Sequence, residues 1–233
     1  MIEPRYKDKG ICVQKSATIF FDFDGTLHNS MAIYGPAFRT SYEWLVSNGY
    51  MPKQAFSDEW ISHWLGFTVE EMWTTFAPQL EDSVWHKAAA IVGKEMDRRT
   101  EEGEACLFQG IPEALTCLKD EGYELAFLSN CRINYCKIHR KLFNLDQWFD
   151  AYYCAEAFGD IPKWQIYQRV ADNHSRPHIM VGDRFHDEEV ALKAGIPFVG
   201  CSYGFARPEE LVHVDAWAKR PSDIPGVIDA LLC

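Results

Sequence analysis

Short apolar runs, separated by segments with helical spacing, set the pattern of this chain. The first run, Ala17–Phe23 (ATIFFDF), is rich in β-forming residues and stops abruptly at Asp24-Gly25-Thr26. Buried strands that lead into turns have this form. Four comparable runs follow, at Glu124–Leu128, Ala151–Ala155, His178–Val181 and Pro197–Cys201. The pattern therefore predicts five strands.

Helical segments precede the later strands. The segment Ile111–Lys119 has Pro112 at its start and Gly122 just past its end, as helix boundaries prefer. Strands that alternate with helices form βαβ units. We therefore predict an α/β fold, with a Rossmann-like core built on a mainly parallel sheet.

One interval lacks buried-strand runs and contains only helix-like stretches. They are Ala37–Ser47, Asp58–Trp64, Val69–Phe76 and Asp82–Arg99. An all-helical block after the first strand indicates an inserted cap, placed where open α/β sheets bind ligands. The predicted domains are a core of residues 1–29 and 106–233 and a helical cap of residues 30–105.

Composition narrows the class of protein. The net charge of −11 argues against nucleic acid as a partner, which would need a basic face. No apolar run approaches the length of a membrane span, and the polar first ten residues lack a targeting core. The eight cysteines lack metal-ligand spacing and are expected to be reduced thiols. The expectation is a cytoplasmic protein that does not bind membranes.

Polar residues cluster where the predicted strands end. Asp22 and Asp24 lie at the end of the first strand, Ser129 and Asn130 at the end of the second, and Gly182 and Asp183 at the end of the fourth. Lys163 follows the third strand, and Asp187 lies one helical turn beyond Asp183. In a parallel sheet all of them lie along one edge. An Asp-x-Asp pair can be a simple turn, and a lone lysine can be a surface residue. Two adjacent carboxylates are unfavourable unless a cation separates them, and Mg²⁺ prefers oxygen ligands.

These segments together resemble the four motifs of the haloacid dehalogenase superfamily. The motif-like segments are DFDGT, the Ser129-Asn130 pair, Lys163 after the third strand, and GDRFHD at 182–187. The resemblance covers the chain in the correct order, and the helical block resembles the cap that this superfamily places after its first strand. Two departures stand out: Asn29 replaces an acid common at that position, and Trp164 follows Lys163 where many phosphoglycolate phosphatases have proline.

The resemblance implies a role for each residue. Asp22 would attack phosphorus, and Asp24 would act as general acid and then base. Mg²⁺ would be held by Asp22, Asp183 and the backbone carbonyl of Asp24. Asp187 would orient Lys163 or a water on the metal. Phosphate would be bound by Lys163, Ser129, Asn130, Gly25 and Thr26. In the cap, Gly66 and Phe67 would contact substrate.

Asp24 also bears on the reaction, because dehalogenases of this superfamily typically lack an aspartate two residues after the nucleophile. The sequence thus predicts a Mg²⁺-dependent phosphatase that hydrolyses a small phosphomonoester metabolite through an aspartyl phosphate on Asp22. Two alternatives stay open. One is a phosphomutase of the β-phosphoglucomutase type, and the other is a non-catalytic protein that binds a phosphorylated ligand. The sequence leaves the oligomeric state open.

Overall fold

The computed structural model describes residues 17–207 and 209–232, so the polar first ten residues considered above lie outside it. Within the described residues, six parallel strands form one sheet in the order β3-β2-β1-β4-β5-β6. Their bounds are β1 Thr18–Phe21, β2 Glu124–Ser129, β3 Ala151–Cys154, β4 His178–Gly182, β5 Phe198–Cys201 and β6 Ala216–Ala218. The predicted α/β, Rossmann-like fold with a parallel sheet is confirmed.

The apolar run of β1 is buried on both faces because this strand lies between two parallel neighbours. Its residues pair in register with Glu124–Phe127 of β2 and with His178–Val181 of β4. The strands therefore end side by side. The segments that follow β1, β2 and β4 all start from the same edge of the sheet.

Helices cover both faces of the sheet and build the cap. They are α1 Met31–Ser47, α2 Asp58–Ser62, α3 Val69–Phe76, α4 Asp82–Glu101, α5 Ile111–Asp120, α6 Ile133–Leu142, α7 Lys163–Val170, α8 Phe185–Ala194 and α9 Ile224–Leu232. Along β1, Ile19 and Phe21 face an apolar cluster shared with α5 and α9, whereas Phe20 faces one shared with α7 and α8. This alternation follows from the period of two along a strand.

Helices α1–α4 form the inserted helical cap. They have an apolar cluster of their own, which includes Phe38, Trp73 and Trp85. The Ser41 hydroxyl in α1 donates a hydrogen bond to the Ala88 carbonyl in α4 (2.8 Å), which fixes these two long helices against each other. The division at residues 30 and 105 stays a proposal, which this separate cluster supports. Among the described residues, no helix is long and apolar enough to cross a membrane.

Two elements differ from the predicted pattern. Helix α1 begins at Met31 rather than Ala37 and contains Pro36, because burial of Ile33 and Tyr34 favours the extra turn despite the hydrogen bond that proline lacks. Strand β6 was not predicted. It has three residues, too few for an alternating pattern, and pairing with β5 is what holds it extended.

Candidate active site

Asp22 lies directly beyond β1, where its backbone N–H still donates to the Val181 carbonyl of β4 (2.9 Å). Its Oδ1 accepts a hydrogen bond from the Lys163 ammonium (2.6 Å), which also donates to Asp187 Oδ1 (2.6 Å). All three side chains are buried. Lys163 is the first residue of α7, so this helix carries the lysine to the carboxylates. The structure thus brings together three residues that the sequence predicts to meet.

Asp183 and Asp187 are fixed by the start of α8. Asp187 Oδ2 accepts the backbone N–H groups of Asp183 (3.1 Å) and Arg184 (3.0 Å), which caps the helix. Asp183 accepts from the Thr26 hydroxyl (3.2 Å) through Oδ1 and from the Phe205 N–H (2.7 Å) through Oδ2. Both carboxylates are therefore held by the backbone geometry of loops at the same sheet edge.

The carboxylates repel one another in this buried place. Burial and the neighbouring Asp187 raise the pKa of Asp22 to about 7, against the lowering effect of Lys163. Burial, together with Asp22 and Asp187, also raises the pKa of Asp183 well above its usual range. Burial disfavours charge on Lys163, but Asp187 and Asp22 raise the pKa of its ammonium above the ordinary value. One lysine therefore does not balance the negative charge.

A divalent cation fits this arrangement. Oxygen atoms of Asp22, Asp183 and Asp187 lie within 4.8 Å of one another. Asp22 Oδ2 is buried and has no hydrogen-bond partner among the described residues, which is costly for a carboxylate oxygen. Both oxygens of Asp187 are already engaged by Lys163 and by backbone N–H groups. Asp22 and Asp183 are therefore better placed as ligands than Asp187.

Gly25 and Thr26 contact the Asp183 carboxylate. Gly25 has φ +88°, and a Cβ atom there would collide with the Asp183 carboxylate, so the glycine lets this carboxylate approach the turn. The N–H groups predicted to hold phosphate donate within the turn, from Gly25 to the His28 carbonyl (2.9 Å) and from Thr26 to the Phe23 carbonyl (3.3 Å). Phosphate binding through them would need these bonds to break. In this conformation both residues position Asp183.

Asp24 belongs to a hydrogen-bonded group that the motifs did not reveal. Its Oδ1 accepts from the Tyr135 hydroxyl of α6 (2.7 Å) and lies 3.1 Å from His28 Nδ1. Burial alone would raise the pKa of Asp24, but the hydrogen bonds from His28 and Tyr135 lower it below the ordinary value. His28 is fully buried, and its contact with the Asp24 carboxylate holds that side chain in place.

Ser129 and Asn130 close β2 beside the carboxylates. Ser129 is buried and, with Asp22 and Asp24, lines a cavity of about 380 Å³ between the sheet edge and the cap. Asn130 also lines this cavity, and its side-chain amide donates to the Gly66 carbonyl of the cap (2.9 Å). Ser129 thus lies where a phosphate group could bind, whereas Asn130 joins the core to the cap.

Arg184 makes a second junction between core and cap. Its side chain donates to the backbone carbonyl oxygens of His63 (3.0 Å) and Leu65, and its Nε donates to Glu210 (2.6 Å). The guanidinium also lies over the Phe67 ring, 5.4 Å from its centre. Residues 63–68, here called the cap turn, are therefore held against the end of β4. Gly66 and Phe67, predicted to contact substrate, both line the cavity.

Sequence reasoning missed Tyr135, Arg184 and Phe205 as parts of this site. Tyr135 lies two residues after Ile133, which begins α6, so its position near the end of β2 was a usable signal. Arg184 occupies an unspecified position of the GDxxxD segment. The Phe205 N–H reaches Asp183 through a loop after β5 that carries no polar side-chain pattern. Backbone donors of this kind leave no trace in residue identity.

The fold and site define a Rossmann-like α/β protein with an acidic centre under a helical cap. Residues 19–201 match the model of the haloacid dehalogenase-like hydrolase family. The chain therefore belongs to this family, and the resemblance seen in its motifs is confirmed.

Individual relatives agree with the assignment. A pyrophosphatase PpaX from Listeria monocytogenes is 22% identical over 92% of this chain and 97% of its own length. A 5′-nucleotidase from Pseudomonas aeruginosa is 30% identical over 51% of this chain and 55% of its own length. The crystal structure of a predicted phosphatase from Clostridium acetobutylicum has a TM-score of 0.78 at 23% identity, covering 93% of this chain and 99% of that one. The last likeness concerns the fold.

Proposed function

We propose that this hydrolase cleaves a small phosphomonoester, with Asp22 as the nucleophile and Mg²⁺ as the cofactor. The observation that carries the proposal is the state of the Asp22 carboxylate. It is buried at the wall of the cavity, with Oδ1 held by Lys163 and with Oδ2 lacking a hydrogen-bond partner among the residues that the structure describes. A carboxylate so fixed and so poorly solvated is suited to attack an electrophile. The names of the two curated relatives, a pyrophosphatase and a 5′-nucleotidase, support a phosphoryl group as that electrophile.

The first half of the reaction forms a bond between an Asp22 oxygen and phosphorus. The bond from phosphorus to the ester oxygen breaks, and Asp24 donates a proton to the departing alkoxide. In the second half Asp24 takes a proton from water, the water oxygen attacks phosphorus, and the bond to Asp22 breaks to release phosphate. Asp24 lines the same cavity as Asp22, and Tyr135 and His28 fix its orientation.

Lys163 and Ser129 complete the phosphate site in this proposal. The ammonium of Lys163 already holds Asp22 in place, and its charge offsets that of a phosphate dianion. Ser129, on the cavity wall, would donate its hydroxyl to a phosphate oxygen. Asp187 acts by holding Lys163 and the start of α8. Asn130 acts by holding the cap turn.

Asp22 and Asp183 would hold the Mg²⁺ ion, with the backbone carbonyl of Asp24. When bound, the ion supplies positive charge that lets an anionic nucleophile approach an anionic ester. Two observations support this assignment. Asp22 Oδ2 is buried and has no hydrogen-bond partner among the described residues, and the neighbouring carboxylates repel one another. The predicted cytoplasmic location and the predicted absence of nucleic-acid partners stay predictions.

Phosphate release from a panel of phosphomonoesters, with Mg²⁺ or with a chelator, tests the proposal. Asp22→Asn keeps the shape of the side chain, and we expect turnover to fall by about a thousandfold or more, as when a nucleophile is removed. Asp172→Asn is the matched control, because the Asp172 side chain is 97% exposed. Undiminished turnover by a pure preparation of Asp22→Asn would refute the assignment. Release of phosphate to water, rather than transfer to a second hydroxyl, separates hydrolysis from a phosphomutase reaction.

A further inference from the structure

The cavity at the active site extends well beyond the place of a phosphate group. Its volume of about 380 Å³ falls within the range of roughly 300–1,000 Å³ found for small-molecule sites. On the core side it is lined by Asp22, Asp24 and Ser129. On the cap side it is lined mainly by apolar and aromatic side chains, among them Trp64, Phe67, Met72, Trp73 and Val92. The space next to the nucleophile is therefore shaped for an apolar group.

Charged residues line this cavity in two places, beside the nucleophile and at the opening to solvent. Besides Asp22 and Asp24, the charged residues among its described lining are Lys94, Asp97 and Arg132. Lys94 and Arg132 are exposed, so they lie where the cavity meets solvent. Burial raises the pKa of Asp97, and the nearby positive charge of Arg132 opposes that rise. A second phosphate or a carboxylate in the apolar part would be buried without a counter-charge, which is unfavourable. The part of the cavity lined by Trp64, Phe67 and Trp73 therefore favours an uncharged group over a second anion.

At Gly93, the cap wall of the cavity has no side chain. This residue lies inside helix α4 and lines the cavity, although glycine is a poorer helix former than alanine. Among the described residues, a Cβ atom added at Gly93 would have one neighbour within 4 Å, the guanidinium of Arg132 at 3.4 Å. Close helix packing therefore does not explain this glycine. A larger side chain here would extend toward Arg132 and narrow the cavity that both residues line.

We infer that the substrates are phosphomonoesters whose alcohol carries an aromatic ring, and that this ring binds in the cap side of the cavity against Trp64, Phe67 and Trp73. The inference rests on the proposed function, since the same cavity reaches Asp22. Aromatic rings pack favourably on aromatic side chains, and they place no second charge in the apolar part. Nucleoside 5′-monophosphates and pyridoxal 5′-phosphate are two sources of this chemistry.

Kinetic comparison of two groups of esters tests the inference. The aromatic group contains adenosine and uridine 5′-monophosphates and pyridoxal 5′-phosphate; the small group contains pyrophosphate, 2-phosphoglycolate and glycerol phosphate. We expect kcat/KM for at least one aromatic ester to exceed that for every small one by tenfold or more. The preferred aromatic ester distinguishes a nucleotide from a pyridine source. A preference for the small group would overturn the inference.

Filling the cavity gives the second measurement. Gly93→Leu is expected to lower the ratio of aromatic to small-ester kcat/KM at least tenfold, and Gly93→Ala by much less. Gly226→Leu is the matched control, because Gly226 lies in α9 and no described residue lies within 4 Å of a Cβ atom added there. Thermal melting checks that each variant is folded, and Ala90→Phe, on the same wall of α4, replaces Gly93→Leu if that variant fails to fold. An unchanged ratio in a folded variant would also overturn the inference.

Calorimetric binding to Asp22→Asn separates this inference from the proposed function. If the variant binds an aromatic ester that the wild type does not hydrolyse, the proposed hydrolysis is wrong and the inference stands. If the wild type hydrolyses small esters and the variant does not bind aromatic ones, the inference is wrong and the function stands. If neither binding nor hydrolysis is seen, both are wrong.

Discussion

The guanidinium of Arg184 in the core donates a hydrogen bond to the backbone carbonyl of His63 in the cap, over 3.0 Å. The same side chain reaches Leu65 and pairs with Glu210, and only 1% of Arg184 is exposed. The cap turn is therefore tied to the residue that follows Asp183. Cap position and the carboxylate centre are mechanically linked at this point.

Replacing Arg184 tests this link. Arg184→Met removes the guanidinium from the partly buried Glu210 carboxylate and from the two cap carbonyls, and we expect the free energy of unfolding to fall by about 3 kcal/mol. Chemical denaturation measures the loss, and KM should rise because Gly66 and Phe67 lose their support. Arg184→Met combined with Glu210→Gln is expected to recover part of the stability but not the KM. Full recovery of both would show that the arginine serves only to neutralise Glu210.

Lys163 is the counter-charge of two buried carboxylates. Lys163→Met leaves Asp22 and Asp187 unpaired, so we expect a loss of about 3–5 kcal/mol in the free energy of unfolding of the metal-free protein. Adding Asp187→Asn removes one of the repelling charges and should restore a large part of that loss. A double-mutant cycle by denaturation gives the coupling energy. A coupling close to zero would contradict the ion pair between Lys163 and Asp187.

Mg²⁺ should stabilise the protein in a pH-dependent way. At a Mg²⁺ concentration 100 times its Kd we expect about 2.7 kcal/mol of added stability, measured by denaturation with and without chelator. Because the pKa of Asp22 is raised to about 7, a proton occupies this ligand as the pH falls through that value and must leave before the metal binds. The gain should therefore be larger at pH 8 than at pH 6.

Two variants check where the metal binds. Asp183→Asn removes a proposed ligand and should abolish the Mg²⁺ effect, whereas Asp172→Asn at the surface should keep it. A full effect in Asp183→Asn would place the ion elsewhere.

The hydrogen bond from the Tyr135 hydroxyl should control the pKa of Asp24. This bond lowers the pKa of Asp24, so Tyr135→Phe raises that pKa, by about one unit for a bond worth about 1.5 kcal/mol. Asp24 must be protonated to act as the acid, so kcat/KM falls as the pH rises through its pKa. In Tyr135→Phe this fall should occur at a pH that is higher by a similar amount. The pH profile of Tyr123→Phe, whose hydroxyl bonds to Asp229 (2.7 Å), should not move. Coincident profiles for Tyr135→Phe and wild type would contradict this role.

The carboxylate centre could be predicted from the sequence because each part of it follows an apolar strand. A buried strand ending in aspartate fixes both where the residue lies and which edge it faces, so Asp22 and Asp183 were predictable. The contacts of Arg184 could not be predicted, since its acceptors are carbonyl oxygens of the cap turn, far away in the sequence. Carbonyl groups are the same at every residue, so nothing in the sequence marks those two.

The roles of Gly25 and Asn130 show a second limit. Their positions follow the strands as predicted from the sequence, but a sequence does not show which way an N–H or an amide points. The Gly25 N–H donates inside its own turn, and the Asn130 amide donates to the cap. Orientation depends on neighbours from other elements, and those are settled only when the chain has packed.

The topology of the sheet also constrains how the chain folds as it is made. Within the described part of the chain, strand β1, which leads to the nucleophile, pairs with residues 124–127 and 178–181 and with no other strand. The apolar cluster of the cap lies almost entirely within residues 34–92, so it can be completed on the ribosome before either neighbour of β1 exists. Among the described strands β1 is synthesised first, so it stays unpaired and apolar while the cap folds beside it. Variants that slow synthesis or folding between the cap and β4 should for this reason aggregate through β1 even when the finished protein is stable.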